Sequence, residues 1–403
     1  MEQQQMELRK QRGYEIAKTS RIEKTDKGWK VPSQSGGGHY IVISNGFGAE
    51  CNCPDHELRK CKCKNIWAVE LIVTKQIDQD GNVTITKTIR KTYSQDWKNY
   101  NLSQQREKEL FMKLLADITN RIQQPAYTFG KPANPLSDTI YSMVFKVYST
   151  FSGRRFSTDM KSAKEIGFVD KKIPYNSMFD YFKKKELTPL LAQIVTITSL
   201  PLKSVEHDFA IDSTGFGTSI FQRWYSFKYG KEINSRRWVK CHFMTGVKTN
   251  IIPSVKITSE FDNDSPELKE LIGNTAEHFD MEEVSADKAY LSRDNMNLIE
   301  EIGAIPFIPF KSNATAKPKG SAIWKKMFYY FQLNNEEFLE HYHKRSNAES
   351  SVMMIKSKFG DSVRSRTWTA QVNEVLCKVI CHNIVCVIHE MYTLGIEADF
   401  KVI

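Results

Sequence analysis

The chain has 403 residues, with 57 lysines and arginines against 47 aspartates and glutamates, and therefore a formal net charge of +10. A hydrophobic fraction of 40% with 26% charged residues is typical of a globular protein and excludes a fibrous or wholly disordered chain. At about 150 residues per domain, this length predicts two or three domains.

The distribution of charge indicates where a polyanion would bind. Residues 1–205 carry 33 lysines and arginines against 21 acidic residues, a net charge of +12, whereas residues 206–403 carry a net charge of −2. Basic side chains release condensed counterions when they neutralise a nucleic-acid backbone. The first half is therefore predicted to contact nucleic acid, although an ordinary soluble surface with uneven charge fits the same counts.

Neither a membrane span nor a leader is predicted. The most apolar stretch, 375–396, is interrupted by Lys378, His382, His389 and Glu390, whereas a span needs about 18 largely uncharged apolar residues. The first five residues lack an apolar stretch behind basic residues, so we expect no signal peptide. We therefore expect a cytosolic protein whose eight cysteines are metal ligands or buried thiols rather than disulfides.

The first predicted elements form a small β/α module. Alternating apolar residues in 29–31 and 40–43 predict two strands joined by a turn at the glycines 36–38. Apolar residues at helical spacing predict a helix over 65–75. A turn over 78–82 and a short polar strand or linker over 84–93 follow.

The pattern from 102 to about 197 is helical. Ser103 is predicted to cap a helix over 104–122, and further amphipathic segments follow. Basic pairs and triplets at 154–155, 171–172 and 183–185 resemble those of a small helical DNA-binding region. A helical spacer would show almost the same pattern.

Beyond Pro201 strands alternate with helices. Apolar strands are predicted over 208–212 and 284–287, each ending on an aspartate, and further strands over 238–244, 249–257 and 305–310. Residues 265–267 are predicted to open a helix, and two long helices are predicted over 336–359 and 369–391. Strands alternating with helices, with carboxylates at strand ends, indicate an α/β catalytic domain.

Four cysteines lie within thirteen residues, in the pattern C-x-C-x7-C-x-C: Cys51, Cys53, Cys61 and Cys63. Four thiolates at this spacing can enclose one tetrahedral Zn²⁺, which would be structural because no position is left for water. The alternative is a chance cluster of buried thiols. The cysteines at 241, 377, 381 and 386 lie in apolar segments and are predicted to be core residues.

The residues around these cysteines resemble a SWIM-type zinc finger. The family pattern is C-x-C-P followed by C-x-H at the start of a helix. Residues 51–54 (Cys-Asn-Cys-Pro) match its first part, and Cys63, two residues before position 65, matches the cysteine of its second part. The chain departs from that pattern because Asn65 occupies the histidine position. The fourth ligand would then be Cys61 or His56, and we favour Cys61 because thiolate is the stronger ligand.

Near the C-terminus, Tyr342, Arg345, Glu349 and Lys356 follow the spacing Tyr-x2-Arg-x3-Glu-x6-Lys. On an α-helix these positions fall within an arc of roughly 60°, so one helix face would present all four side chains. The alternative interpretation is a solvated face on which Arg345 and Glu349 form an i,i+4 salt bridge.

The same spacing is the signature of a large group of DDE-type insertion-sequence transposases, which the chain resembles. Residues 210–215 (Ala-Ile-Asp-Ser-Thr-Gly) resemble the first-aspartate strand of that family, and residues 285–290 (Ser-Ala-Asp-Lys-Ala-Tyr) resemble the second. The resemblance covers about residues 205–392 well and the helical region weakly.

The resemblance implies an α/β protein with an RNase H-like catalytic core, a mixed sheet flanked by helices. It implies three metal ligands and three DNA-binding residues: Asp212, Asp287 and Glu349 for two Mg²⁺ ions, and Tyr342, Arg345 and Lys356 for DNA phosphates. Mn²⁺ would substitute for Mg²⁺. We expect three domains: a SWIM-like zinc-binding module over 1–90, a helical DNA-binding region over 91–205, and the catalytic domain over 206–403 with an insertion at about 293–340.

The function implied is that of a transposase acting on double-stranded DNA, both the inverted-repeat ends of its element and the target, as a homodimer on DNA in a prokaryotic cytosol or nucleoid. Two alternatives remain. One is a domesticated DNA-binding protein without cutting activity, which the intact acidic residues disfavour. The other is an RNase H-like nuclease, which the complete Tyr-Arg-Glu-Lys set disfavours.

Overall fold

The structure is a computed structural model that describes residues 2–34, 38–45, 48–77, 83–87, 96–126, 129–130, 132–218, 228, 238–398 and 400. The chain divides into two compact units, Met1–Ser94 and Gln95–Ile403. The turn predicted over 78–82 lies outside the described residues, as do most of the glycine turn at 36–38 and of the linker over 84–93.

The first unit is a small β/α module around one apolar core. Its strands form an antiparallel meander in the order β1-β2-β3-β4: β1 (Glu23–Thr25), β2 (Gly28–Pro32), β3 (His39–Asn45) and β4 (Gly48–Cys51). The helices are α1 (Glu2–Thr19), α2 (Pro54–Arg59) and α3 (Lys64–Ile72), and a hairpin of β5 (Val73–Ile77) and β6 (Val83–Lys87) follows. The predicted helix over 65–75 is therefore shorter and turns into a strand at Val73.

Helix α1 is absent from the sequence prediction because its apolar residues have no clear helical period. It packs closely on α3: a Cβ atom at Gly13 would lie 2.6 Å from the Cβ of Trp67. Ile16 of α1 lies in the same core as Val31, Val42 and Ile66. The packing of α1 against α3 and this core, rather than a helical pattern in its own sequence, therefore stabilises the helix.

The second unit contains a five-stranded mixed sheet in the order β11-β10-β7-β8-β9. Its strands are β7 (Asp208–Gly217), β8 (Trp238–Gly246), β9 (Ser254–Ser259), β10 (Glu283–Ala286) and β11 (Ile305–Phe307). Strand β8 runs antiparallel to both neighbours, whereas β10 and β11 run parallel to β7. Counted within the sheet, the order is 5-4-1-2-3, which confirms the predicted RNase H-like mixed sheet.

Helices cover both faces of this sheet. The core on one face is shared with α4 (Trp97–Thr119), α5 (Leu136–Ser149), α6 (Gly153–Ile166), α7 (Tyr175–Phe182), α8 (Leu187–Ser199), α13 (Ser346–Phe359) and α14 (Trp368–Thr393). The other face packs against α9 (Leu268–Ala276), α10 (Arg293–Glu301), α11 (Ala322–Leu333) and α12 (Asn335–Tyr342). Strand alternation explains the division: Ile211 of β7 lies in the second core and Phe216 in the first.

Helix α14 is the central element of the first core. By length and composition it could cross a membrane, but 83% of its most apolar window is buried inside the protein. Lys378 and His382, the polar residues that interrupt its sequence, are buried and hydrogen-bonded to backbone carbonyls. This is the burial pattern of a core helix.

Several predicted boundaries are wrong for local reasons. Strand β7 continues five residues past Asp212, because β8 pairs with it as far as Gly217. Helix α4 begins at Trp97 rather than at Gln104, since the side chain of Asp96 accepts a hydrogen bond from the Asn99 N–H and caps it. The helix predicted over 336–359 is interrupted by a 3₁₀ turn at His343–Arg345.

Candidate active site and cysteine cluster

Strand register brings Asp212 and Asp287 together. Strands β7 and β10 are parallel, and Ile211 is the register partner of Ala286. The next residue along each strand is one of the two aspartates, although β10 ends at Ala286. Neighbouring strands lie about 4.8 Å apart, so the two carboxylates start from adjacent backbone positions.

Helix α13 brings Glu349 to the same place. The Arg345 guanidinium connects it to the sheet: Nη1 lies 3.4 Å from Asp212 Oδ1, and Nη2 lies 2.5 Å from Glu349 Oε1. The i,i+4 salt bridge of the alternative interpretation is therefore present. The same guanidinium also contacts Asp212 on the sheet, which an isolated salt bridge on a solvated helix face would not do.

Asp212 is influenced electrostatically by the other two carboxylates. Burial raises the pKa of Asp212, the charges of Glu349 and Asp287 raise it further, and the Arg345 charge opposes them. In the described part of the chain the carboxylate oxygens do not form a group within 4.8 Å of one another. A divalent cation bound beside Asp212 would stabilise the ionised form of this carboxylate.

Lys356 lies along the side of β7 that carries Asp212. Lys356 Nζ donates a hydrogen bond to Thr214 Oγ1 at 2.5 Å. Thr214 shares a strand face with Asp212, because alternate residues point the same way. Burial lowers the pKa of Lys356. Tyr342 ends α12, and its ring centroid lies 5.9 Å from Arg345 Cζ.

Lys344 is a positioning residue that the sequence analysis missed. Its ammonium lies 2.7 Å from both Asp208 Oδ2 and Glu283 Oε2, which lie at the starts of β7 and β10. Glu283 also contacts His341 Nδ1 at 2.8 Å. These ion pairs fix the 3₁₀ turn that carries Arg345, and a lysine in a run of charged residues gave no signal for this role.

A buried polar network on the opposite side of β7 was also missed. His242 Nδ1 lies 3.2 Å from the Tyr290 hydroxyl and 3.3 Å from Asp264 Oδ1, and Nε2 lies 3.0 Å from Thr258 Oγ1. Burial lowers the pKa of His242 to about 4. Tyr290 follows Asp287 by three residues, so this network supports the loop that carries the second aspartate.

Trp324 is a core residue. Its side chain is 5% exposed, and its indole N–H donates a hydrogen bond to the Thr315 carbonyl at 2.8 Å. The Arg293 guanidinium covers the ring, with Cζ 4.1 Å from the centroid. The indole N–H and one face of the ring are thus already in contact with other residues of the protein.

The cysteine cluster contains three of the four predicted ligands. Cys51, Cys53 and Cys63 are buried, and their sulfur atoms lie within 4.8 Å of one another. Cys61 is half-buried and stands outside this group. Asn65, at the first turn of α3, is 1% exposed, and its Nδ2 lies 3.6 Å from Cys51 Sγ. The structure thus brings together a different set of side chains from the one predicted.

The donor chemistry of this cluster fits a zinc ion. A hydrogen bond shared with Cys51 and then burial raise the pKa of Cys63, whereas that shared hydrogen bond lowers the pKa of Cys51. Thiols this close share protons, and Zn²⁺ replaces those protons with bonds of about 2.3 Å. Cys51, Cys53 and Cys63 would therefore hold the metal.

The sheet order and the carboxylates beside its central strand define an α/β domain of the RNase H-like class. Residues 203–384, a little under half of the chain, match the family model described as transposase DDE domain. This match confirms the resemblance of this segment to DDE transposases.

No curated protein matches the chain. A solved structure that it resembles is the cryo-EM structure of a piggyBac transposase synaptic complex with hairpin DNA, at 12% sequence identity and a TM-score of 0.35. That comparison covers 72% of this chain and 74% of the other.

Proposed function

We propose that the protein is a DNA transposase that binds the terminal inverted repeats of an insertion sequence, cleaves them, and joins them to target DNA. The observation that carries the proposal is the contact of Arg345 with both Asp212 and Glu349, together with the strand register that places Asp287 beside Asp212, inside the segment that matches the transposase DDE domain. Endonuclease and strand-transfer activities would share this one site.

Asp212, Asp287 and Glu349 are proposed to hold two Mg²⁺ ions. When bound, such a metal pair activates the attacking oxygen and stabilises the leaving oxygen of an in-line displacement at phosphorus. Carboxylate oxygens are the ligands that Mg²⁺ prefers, and Mn²⁺ accepts them equally. Half-burial of Asp212 and its repulsion by the neighbouring carboxylates support this role.

Three other residues are proposed to bind DNA next to the scissile bond. Arg345 and Lys356 supply two positive charges beside Asp212, and a guanidinium can pair with phosphate oxygens in a bidentate manner. Tyr342, at the end of α12, supplies a phenol near the Arg345 guanidinium. These contacts would position the phosphodiester, whereas the choice of sequence would come from elsewhere in the chain.

The basic first half is proposed to recognise the element ends. Residues 1–90 would act as a zinc-dependent module and 91–205 as a helical DNA-binding region, ahead of a catalytic domain over 206–403 with an insertion at about 293–340. The net charge of +12 over residues 1–205 supports contacts to the phosphate backbone.

Joining two ends in one reaction would need two active sites, and so a homodimer on DNA. The cytosol of a prokaryote would be the compartment.

The test incubates purified protein with labelled end DNA and Mg²⁺ and measures nicked and joined products. Asp212→Asn, Asp287→Asn and Glu349→Gln should each abolish both products while sparing end binding, because each removes a ligand charge at constant side-chain size. Glu301→Gln, an exposed carboxylate at the end of α10, is the matched control and should retain activity. Wild-type cleavage by any of the three variants would remove that residue from the site.

A further inference from the structure

We propose that the side-chain carboxamide of Asn65, rather than the thiolate of Cys61, is the fourth ligand of the zinc site formed by Cys51, Cys53 and Cys63. This inference rests on the structural zinc of the proposed function and deepens it, because it assigns a Cys₃–carboxamide site in place of a four-cysteine site.

The first observation is an unpaired polar atom at the cluster. Asn65 is 1% exposed, and its Oδ1 is a buried oxygen without a hydrogen-bond partner in the protein. The Nδ2 atom is directed at Cys51 Sγ, 3.6 Å away. Buried amides are almost always satisfied, so this carboxamide needs a partner that the cluster itself could hold.

The second observation is a distance. A 180° rotation about the terminal side-chain bond exchanges the oxygen and nitrogen of an asparagine without moving other atoms. It would place Oδ1 about 3.6 Å from Cys51 Sγ. Tetrahedral zinc with a sulfur at about 2.3 Å and an oxygen at about 2.0–2.2 Å requires a sulfur–oxygen separation of about 3.5–3.7 Å. The carboxamide therefore lies at the distance from Cys51 Sγ that a fourth ligand of the same ion would have.

Local structure explains why Asn65 and not Cys61 reaches the cluster. Asn65 follows Cys63 by two residues at the start of α3, and both side chains are buried in the core of the module. The Cys61 backbone is fixed by a different contact: His56 Nδ1 donates a hydrogen bond to the Cys61 carbonyl at 2.7 Å. That bond also places a proton on Nδ1 of His56 and so excludes this nitrogen as a ligand.

The ligand set determines the charge of the site. Three thiolates and a neutral carboxamide around Zn²⁺ give a net charge of −1, whereas four thiolates would give −2. A carboxamide oxygen is also a weaker zinc ligand than a thiolate or an imidazole. The site should therefore bind zinc less tightly than a variant that carries histidine at position 65.

The test measures metal binding to the full chain. Zinc content is determined after purification, zinc affinity by competition with a chelator, and the number of thiolate ligands by the intensity of the sulfur-to-metal charge-transfer band of Co²⁺-loaded protein. Cys61→Ser should leave all three unchanged. Cys53→Ser should lose zinc and about one third of the band. Asn65→Ala should weaken zinc binding at least tenfold, and Asn65→His should strengthen it.

The opposite results are equally clear. Loss of one thiolate from the Co²⁺ band in Cys61→Ser would overturn the proposal and restore the four-cysteine site. An unchanged zinc affinity in Asn65→His would also overturn it, and this variant keeps the test valid if Asn65→Ala does not fold. A wild-type protein without zinc would reject the metal site as a whole, whereas the DNA-cleavage assay with Mg²⁺ reports independently on the transposase function.

Discussion

Arg345 and Asp212 are joined across the boundary between helix α13 and strand β7, with 3.4 Å between Nη1 and Oδ1. The guanidinium that contacts the first aspartate also contacts the glutamate of the same signature. Its charge stabilises two carboxylates that otherwise repel each other. We therefore expect changes at Arg345 to affect both the binding of DNA and the binding of metal.

The first prediction concerns DNA affinity. Arg345→Ala or Lys356→Ala should weaken binding of cleaved end DNA and should reduce the slope of log K against log salt by about 1, because each removes one phosphate contact. Fluorescence anisotropy over a series of salt concentrations measures that slope. Lys269→Ala, an exposed lysine on α9, is the control. An unchanged slope in both variants would support the solvated salt-bridge interpretation instead.

The second prediction concerns stability at acid pH. Burial lowers the pKa values of His242 and His382 to about 4. In the unfolded chain each histidine binds a proton near pH 6.5, whereas in the folded chain it stays neutral until about pH 4. The stability that comes from this difference is therefore complete above pH 6.5 and is lost as the pH falls towards 4. For each histidine, the free energy of unfolding should fall by about 2 kcal/mol between pH 7 and pH 5.

Urea unfolding at a series of pH values measures this effect. His382→Gln retains a donor for the Asn250 carbonyl but does not titrate, so it should reduce the loss of stability between pH 7 and pH 5 by about 2 kcal/mol. The same dependence in wild type and variant would show that His382 is not the titrating group.

The third prediction concerns the end of α13. The buried Lys378 ammonium donates hydrogen bonds to the carbonyls of Phe359, Gly360 and Ser362 at 2.7, 2.7 and 3.0 Å. Lys378→Met retains the length of the side chain but leaves these acceptors without that donor, which should cost about 3 kcal/mol. Chemical denaturation measures the loss, and Lys164→Met on the exposed face of α6 is the control. Equal stability of both variants would contradict this role.

The sequence predicts the parts of the site that local patterns encode. Asp212 and Asp287 each follow a run of buried strand residues, and two such strands place their following residues at one edge of a sheet. Glu349 and Lys356 are correctly placed on a helix. The 3₁₀ turn at His343–Arg345 was not foreseen, because its residues are compatible with a continuous helix and the ion pairs of Lys344 with two strands are long-range contacts that local patterns do not encode.

Contacts between distant residues account for what the sequence does not reveal. His242 and Tyr290 are 48 residues apart and meet only because β8 and the loop after β10 approach each other. In the cysteine cluster, spacing treats Cys61 and Cys63 as equivalent, yet the start of α3 buries Cys63 and Asn65 and leaves Cys61 half-buried. Packing at the start of α3 therefore determines which side chains lie in the cluster, and the spacing of cysteines in the sequence does not predict that packing.

The most direct test of the metal site is the metal dependence of Asp287→Cys. Asp287 is exposed and adjacent to Asp212, so a cysteine fits there, and its thiolate binds Mn²⁺ better than Mg²⁺. The ratio of end-cleavage rates in Mn²⁺ and in Mg²⁺ should rise at least tenfold over the wild-type ratio, and Glu301→Cys should leave that ratio unchanged. Cleavage by Asp287→Cys at the wild-type rate in Mg²⁺, with the wild-type ratio, would contradict a metal-binding role for this carboxylate.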